Sequence, residues 1–516
     1  MSNIHPRTPV LVGAAQFTQR TSREGALAKG LNPIAMLAKA ARDAIVDAGI
    51  GADAIDTVAV VRFTADSPGD QGRLPKRMFR NPPASVAKHI GANPRRNLYT
   101  ATGGNTPQWL VNRIAEDIAQ GRSDAAVLTG AEYIATLLRM MKNGVDLGWR
   151  ELPDTDPGSD PEEIGDQRAG VSDYERPYSL HFPVNTYPLF ENAIRGARRR
   201  TPQEHQKYLG ELFSPFSKVA AENPYAWFQT FRAPEEISTP TENNRIVGFP
   251  YTKYMNAVIE VDMGAAVVMT SVEKAHTLGI PESKWVFLHG CADANDIWNV
   301  TERADFHSSP AIRTMGQKAF AMAGIGAGDL SCIDLYSCFP AAVEIGCQEL
   351  GIAENDPRGL TVTGGLPYFG GPGNNYVMHS IVTMMEKLRA APDKFGLCTG
   401  NGWYITKHSA GIYSTKPFEG TWQREDPKSY QREIDAGPHV TVAEKPEGEA
   451  IVETYTVASD RKGRRFGIIV GRLNDGRRFL ANTPDDEATL QMMMSEEILG
   501  RRGVVAPGDL NQFRFA

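Results

Sequence analysis

Cysteine is scarce: five residues in 516, too few and too scattered for a disulfide framework. No apolar run reaches the ~18 to 20 residues that span a bilayer, which excludes a transmembrane helix. Neither sign of charge dominates. Lys plus Arg number 55 and Asp plus Glu 61, a net charge of -6, so binding nucleic acid through overall charge is not expected. Met1–Arg7 is followed by no apolar stretch of the signal-peptide kind. The expectation is a reduced, soluble, cytoplasmic protein. There is no Gly-x-x-x-x-Gly-Lys-Ser/Thr loop, no Cys-x-x-Cys pair and no His-Glu-x-x-His helix, so neither a metal centre nor a permanently bound cofactor is expected. Gly324-Ile325-Gly326-Ala327-Gly328 has the spacing of a dinucleotide loop, but it closes a helix instead of following a strand.

What is present is globular and α/β. Hydrophobic residues at 41% and charged residues at 22% rule out a disordered chain. Val10-Leu11-Val12-Gly13-Ala14-Ala15 reads as a buried strand. Asn32-Pro33 opens a helix whose apolar positions Ile34, Leu37, Ala38, Ala41, Ile45 and Ala48 recur at helical spacing. Residues 55–63 follow as a second strand and complete a βαβ unit. The helix ends in Ala48-Gly49-Ile50-Gly51-Ala52, and the same five residues recur as Ala323-Gly324-Ile325-Gly326-Ala327 after a second helix opened by Pro310. Matching element order around the two copies implies duplication of one α/β unit.

Between the copies, residues 140–252 are rich in Pro, Gly, Glu and Arg and read as an insertion, with 154–166 as an exposed loop. Residues 261–270 return to a buried strand. Beyond a polar stretch at 415–448, residues 450–458 and 466–473 are strand-like. Asn474-Asp475-Gly476 is a hairpin turn, 477–482 is its return strand, and Val504-Val505 and Phe513-Arg514-Phe515 offer further strands. The sum is a small β-barrel of the OB type.

Four local features carry chemistry. The first is the strand-to-helix junction Asn97-Leu98-Tyr99-Thr100-Ala101-Thr102-Gly103-Gly104-Asn105, where a helix N-terminus favours an anion or a lowered pKa. The second is Tyr336-Ser337-Cys338-Phe339. The third is the run from Gly364 and Gly365 through Gly370 and Gly371 to Asn374 and Asn375, glycine-rich enough for backbone to approach a ligand closely. The fourth is Cys398-Thr399-Gly400-Asn401-Gly402, followed by Lys407 and His408. Each has a plain structural alternative. Cys332, Cys338 and Cys347 read first as small core residues. His408 reads as a core histidine, and Arg198-Arg199-Arg200 as a solvated helix face. Arg461, Lys462, Arg464 and Arg465 read as a solvated hairpin rim.

In this order the four features resemble the thiolase superfamily over nearly the whole chain, most closely the sterol-carrier-protein thiolase branch and its type 1 thiolase-like proteins. The resemblance implies a thiolase fold: duplicated βαβ-containing halves in a layered αβαβα core, an inserted loop domain and a C-terminal OB-like β-barrel. It places the first half at 1–140 with 253–280 and the loop domain at 141–252. The second half falls at 281–414, a linker at 415–448 and the β domain at 449–516. The catalytic motifs depart from the family. Thr100 stands where the nucleophilic Cys is expected, and Gly371 replaces the His of the Gly-His-Pro loop. Tyr336-Ser337-Cys338-Phe339 replaces His-Asp-Cys-Phe. Only Cys-x-Gly survives, as Cys398-Thr399-Gly400. A hydroxyl needs an adjacent base to attack a thioester, and that base is lost with the thiol.

The expectation is therefore a protein of the acetyl-CoA acetyltransferase superfamily that binds CoA or an acyl-CoA as a ligand and lacks ordinary thiolase activity. The CoA contacts implied are Arg198, Arg199, Arg200, Gly364, Gly365, Gly370, Gly371 and Asn374. Two rivals stand beside it. One is an acyltransferase or other thioester-processing enzyme of lipid metabolism that uses Cys398, with His408, Tyr336 and Cys338 as partners and Thr100 in a degenerate site. The other is a scaffold that binds a protein partner through the C-terminal domain, with nucleic acid as the least favoured partner. A homodimer is the family default, and the added domain offers a route to a monomer.

Overall fold

The computed structural model describes residues 4–23, 25–67, 79–149, 159–459 and 463–516. Its strands in chain order are β1 (Pro9–Thr18), β2 (Thr57–Val60), β3 (Arg96–Thr100), β4 (Ala125–Tyr133), β5 (Glu162–Ile164), β6 (Ile246–Gly248), β7 (Tyr251–Thr252), β8 (Asp262–Ser271), β9 (Val286–Asn295), β10 (Leu330–Asp334), β11 (Phe395–Gly402), β12 (Lys407–Ser414), β13 (Gly448–Ser459), β14 (Arg465–Leu473), β15 (Arg478–Asn482), β16 (Arg502–Ala506) and β17 (Gln512–Phe515). The first sheet has ten strands in the order β10-β11-β12-β9-β1-β8-β4-β2-β3-β5.

Duplication is visible in that order. Outward from the centre, β1-β8-β4-β2 and β9-β12-β11-β10 repeat one pattern: antiparallel, antiparallel, parallel. The halves meet where β1 and β9 run antiparallel, with Val10 opposite Phe287 and Leu11 opposite Val286. Packing repeats as well. A Cβ on Gly13 would overlap the carbonyl of Ala44 and the methyl of Ala48; one on Gly290 would overlap Ala319 and Ala323 in the same way. In each half a small-residue helix thus lies directly on its first strand. The two helices, Pro33–Ala48 and Pro310–Ala323, end at Gly49 and Gly324 in the left-handed conformation.

Two further helices, Thr106–Ala119 and Tyr376–Ala390, touch each other and strands of both halves. They form the middle layer between the two half-sheets, and with the outer helices they complete the αβαβα arrangement. Strands covered on both faces must be apolar throughout, and all ten residues of β8 are buried.

The inserted segment is mostly helical, with Pro183–Ala197 and Pro202–Glu222 as its main elements. Of the exposed loop expected at 154–166, residues 154–158 lie outside the described set. Residues 162–164 form β5, which pairs with β3 at the sheet edge. The polar stretch 415–448 is not a free linker either. Trp422 donates to the Leu288 carbonyl at 2.8 Å, and a helix at Pro427–Asp435 packs against β9.

The C-terminal strands close as β13-β14-β15-β17-β16 and back to β13, with only β15 and β17 parallel. A helix, Glu487–Ser495, joins the third strand to the fourth. That is the OB arrangement expected from the sequence. The barrel is docked through buried groups. Asn192 donates to the Tyr455 carbonyl at 2.9 Å, and the fully buried Arg478 donates to the Thr301 carbonyl at 2.8 Å. β6 and β7, from the inserted segment, extend the barrel sheet through Gly248 opposite Ala458. Of the basic hairpin rim, Arg464 and Arg465 pair with Asp485 and Glu487, while Arg461 and Lys462 lie outside the described residues. Among the described residues, no helix is long and apolar enough to cross a membrane.

Candidate functional site

β3 delivers Thr100 to the junction, and six residues later the Thr106–Ala119 helix begins. Thr100 is fully buried, and its hydroxyl accepts a hydrogen bond from the Arg62 backbone N–H at 3.0 Å. No acid or base is bonded to that hydroxyl among the described residues. The next turn is tied to the second half. Gly103 N–H donates to Asn374 Oδ1 at 3.0 Å, and Asn374 Nδ2 donates to the Arg62 carbonyl at 2.9 Å. Gly104 has to be glycine because any Cβ there would overlap the Tyr336 hydroxyl.

Tyr336 follows β10, and its backbone N–H donates to Thr399 Oγ1 at 2.9 Å. Burial raises its phenol well above the ordinary range, so the hydroxyl stays neutral. Cys338 is buried beside Tyr187, and burial pushes its thiol up to about 12. Tyr187 stacks on Phe339 at 4.3 Å and accepts from Asn401 Nδ2 at 3.0 Å. A thiol held there is a packing group, not a ready nucleophile.

The glycine-rich loop is covered by protein. Gly364, at φ +115°, lies against Ala220, and a Cβ on Gly365 would meet Phe216. A Cβ on Gly370 would meet Met263 and Trp227, and one on Gly371 would meet Leu366. Residues of the inserted segment therefore form the wall opposite this loop. Beneath it, Glu132 accepts from Thr64 N and Oγ1 at 2.8 and 2.7 Å, and burial raises its carboxyl to about 7.

Cys398 and His408 are not brought together. Asn401 pairs with His408 in the β11–β12 register, and Cys398 lies three residues away from Asn401. Side chains alternate along a strand, so the two face opposite sides of the sheet. Cys398 is fully buried, with its thiol raised well above the ordinary range by burial and Asp334. His408 Nε2 lies 3.4 Å from Asp296. Asp296 itself accepts from Ala311 N at the start of the Pro310–Ala323 helix.

The three arginines lie at the end of the Pro183–Ala197 helix. Arg198 pairs with Glu344 at 2.8 Å and also with Glu354. Arg200 stacks on Tyr208 at 3.7 Å, and Arg199 has a positive φ of 54°. Behind Arg198 is a group with metal-ligand chemistry among the described residues: Glu191, His205 and Glu344, all buried, with candidate ligand atoms within 4.8 Å of one another. Both Glu191 oxygens and one Glu344 oxygen are already engaged. Tyr251 donates to Glu191 at 2.6 Å, His205 bonds the other Glu191 oxygen, and Arg198 bonds Glu344. Burial beside Glu191 raises Glu344 well above the carboxylate range, and burial lowers His205 to about 4. A neutral histidine and a proton shared between the two carboxyls reduce the buried charge of the group.

Lys407, the residue beside His408, is read from the sequence only as following the Cys398 feature, with no role attached. It is 6% exposed, and its ammonium donates to the carbonyls of Thr102 at 2.9 Å and Asp166 at 3.2 Å. It borders a cavity of about 190 Å³ whose wall includes Asn105, Trp109, Asp166 and Arg424. The available signal was a charge opening an otherwise uncharged strand. Only the fold reveals that Thr102 and Asp166 converge on it.

The region 429–509 matches the family model described as the thiolase-like protein type 1 additional C-terminal domain. The crystal structure of a monomeric SCP2-thiolase like protein type 1 from Mycobacterium smegmatis is similar over 99% of this chain and 100% of that one, at 39% identity and a TM-score of 0.84. A steroid side-chain-cleaving aldolase of Thermomonospora curvata is 23% identical over 360 residues, 69% of this chain and 83% of that protein. A structure of the Ltp2-ChsH2(DUF35) aldolase shares the fold over 79% of this chain and 98% of that one, at 19% identity and a TM-score of 0.55.

Proposed function

The chain belongs to the SCP2-thiolase-like proteins of type 1, with the additional C-terminal domain, and from that premise we propose that it binds CoA or an acyl-CoA without thiolysis through an acyl-cysteine. The observation that carries this reading is Thr100. Its hydroxyl is buried, receives a backbone N–H and has no base bonded to it among the described residues. Gly371 offers no imidazole to activate it. The remaining thiols nearby, Cys338 and Cys398, are held protonated by burial. Loss of both nucleophile and base costs several powers of ten in rate.

For the ligand, Arg199 and Arg200 are the cations at the end of the inserted helix that stand outside the Arg198 ion pairs. Guanidinium groups suit the phosphates of CoA. The test is calorimetric titration with CoA, acetyl-CoA and a long-chain acyl-CoA, with a thiolysis assay on the same sample. Binding in the micromolar range without thiolysis is expected. Absence of binding, or thiolysis at an ordinary enzymatic rate, overturns the reading.

One observation favours a second reading, carbon–carbon cleavage next to a thioester. The neutral Tyr336 phenol stands at the helix N-terminus, where it can exchange a proton with a substrate oxygen. An aldolase is among the similar proteins. Tyr336→Phe should then abolish retro-aldol turnover of a β-hydroxyacyl-CoA while leaving its binding within about threefold.

A further inference from the structure

The Lys407 ammonium is a buried cation that makes no salt bridge among the described residues. Among the described residues no carboxylate oxygen lies within salt-bridge distance, and its two partners are neutral carbonyls. Buried charges are ordinarily paired, because an unpaired one forfeits its hydration. The second observation is the neighbouring helix. Thr106–Ala119 has 14 residues, and its N-cap, Asn105, makes no side-chain capping bond. Asn105 is 3% exposed, and its Oδ1 has no partner. Its Nδ2 faces Ser409 Oγ at 3.1 Å, and a hydroxyl can donate or accept, so this amide can turn either end to the cavity. The third is space: about 190 Å³, room for far more than one water.

The charges around the cavity define what fits. Arg424 is paired with Asp293 and Glu116. Asp166 is paired with Arg168. Lys407 is the buried cation of this wall that makes no salt bridge among the described residues, and the exposed Lys428 stands at the margin. A single negative charge balances it, whereas Asp166 and Asp293 oppose a dianion. Trp109, Ala101, Ala294 and Pro427 supply apolar wall for a short carbon chain.

We propose that this cavity is a binding site for a short-chain monocarboxylate group, held by the Lys407 ammonium and the Asn105 amide beside the start of the Thr106–Ala119 helix. Helix N-termini and ammonium groups converge on anions for the same electrostatic reason. The site does not require that CoA bind. The carboxylate has two possible sources, a free short acid or the far end of an acyl group that terminates in a carboxylate.

The test is isothermal titration of the full chain with sodium butyrate, with butyramide as the uncharged control at equal ionic strength. Saturable one-to-one binding of butyrate and none of butyramide is expected. Lys407→Met keeps most of the side-chain volume, removes the charge and should weaken butyrate at least tenfold. Asn105→Asp supplies the missing negative charge from within, so it should abolish butyrate binding and raise Tm. Butyrate affinity unchanged in either folded variant, or no binding to the parent protein at about 10 mM, overturns the site. A lysine that only braces the turn would lower Tm on substitution while no butyrate binding is seen. The source is read from succinyl-CoA and acetyl-CoA. Selective loss of succinyl-CoA affinity in Lys407→Met supports an acyl terminus. Butyrate affinity that is unchanged by saturating CoA supports a free acid.

Discussion

Arg198 and Lys407 are both cations withdrawn from water, yet their surroundings are opposites. Arg198 reaches Glu344 and Glu354, with Glu191, His205 and Tyr251 packed behind them. Lys407 reaches two carbonyls and borders a cavity of about 190 Å³. In the first network the cation is ion-paired, so its chemistry is spent on holding the inserted segment to the second half of the core. In the second the ammonium borders a cavity and makes no salt bridge among the described residues. Buried ionisable groups point to function where charge and space are both left over, not wherever burial is deep.

The comparison can be broken most severely at Arg198. Arg198→Met removes the cation from Glu354 and a hydrogen bond from Glu344 and should cost about 2 kcal/mol of stability, read by urea unfolding. If the loss is negligible, the network is not the brace it appears in the fold. Lys407→Met should do the reverse: Tm unchanged or raised, with at least a tenfold loss of butyrate affinity.

A smaller effect sharpens the same contrast by pH. Burial lowers Lys407 to about 8, with Asp166 opposing and Arg168 assisting; His408, Asp293, Arg424 and Lys428 also face the cavity. Only the protonated amine holds a carboxylate, so butyrate binding should be constant below about pH 8 and fall as pH rises above it. Flat affinity from pH 7 to 9.5 would count against Lys407 as the anchor.

Glu132 probes burial without a cavity. Its carboxyl is raised to about 7, so the native state holds a proton that the unfolded chain has lost above about 4.5. Its contribution to stability is full below about 4.5 and disappears as pH rises through 7. Glu132→Gln should flatten that fall in Tm. The smallest change is expected for Glu344→Gln. Its carboxyl already keeps a proton beside Glu191, so an amide of the same shape should alter stability by about 1 kcal/mol or less at neutral pH.

Much of the fold was legible in residue order. The repeated Ala-Gly-Ile-Gly-Ala phrase marked two helices that end and pack alike, and Asn474-Asp475-Gly476 marked the hairpin of a barrel with the expected strands. β5 was not legible, because a three-residue edge strand takes its identity from the neighbour β3. Nor was the helix at 427–435, whose buried Tyr430 and Ile434 give too short a pattern in a polar stretch. Within the site, the sequence shows Thr100 and Gly371 at the positions where the resemblance leads one to expect a Cys and a His. The opposite facing of Cys398 and His408 required the strand register.

The sequence by itself determined the layered core, the duplication and the side chains present at the four local features. These depend on periodicity, on local caps and turns, and on which atoms a side chain carries, all of which can be read along the chain. Tertiary structure alone decided that Arg198 is satisfied while Lys407 is not. Charge compensation depends on distances between segments hundreds of residues apart, and no local pattern encodes those distances.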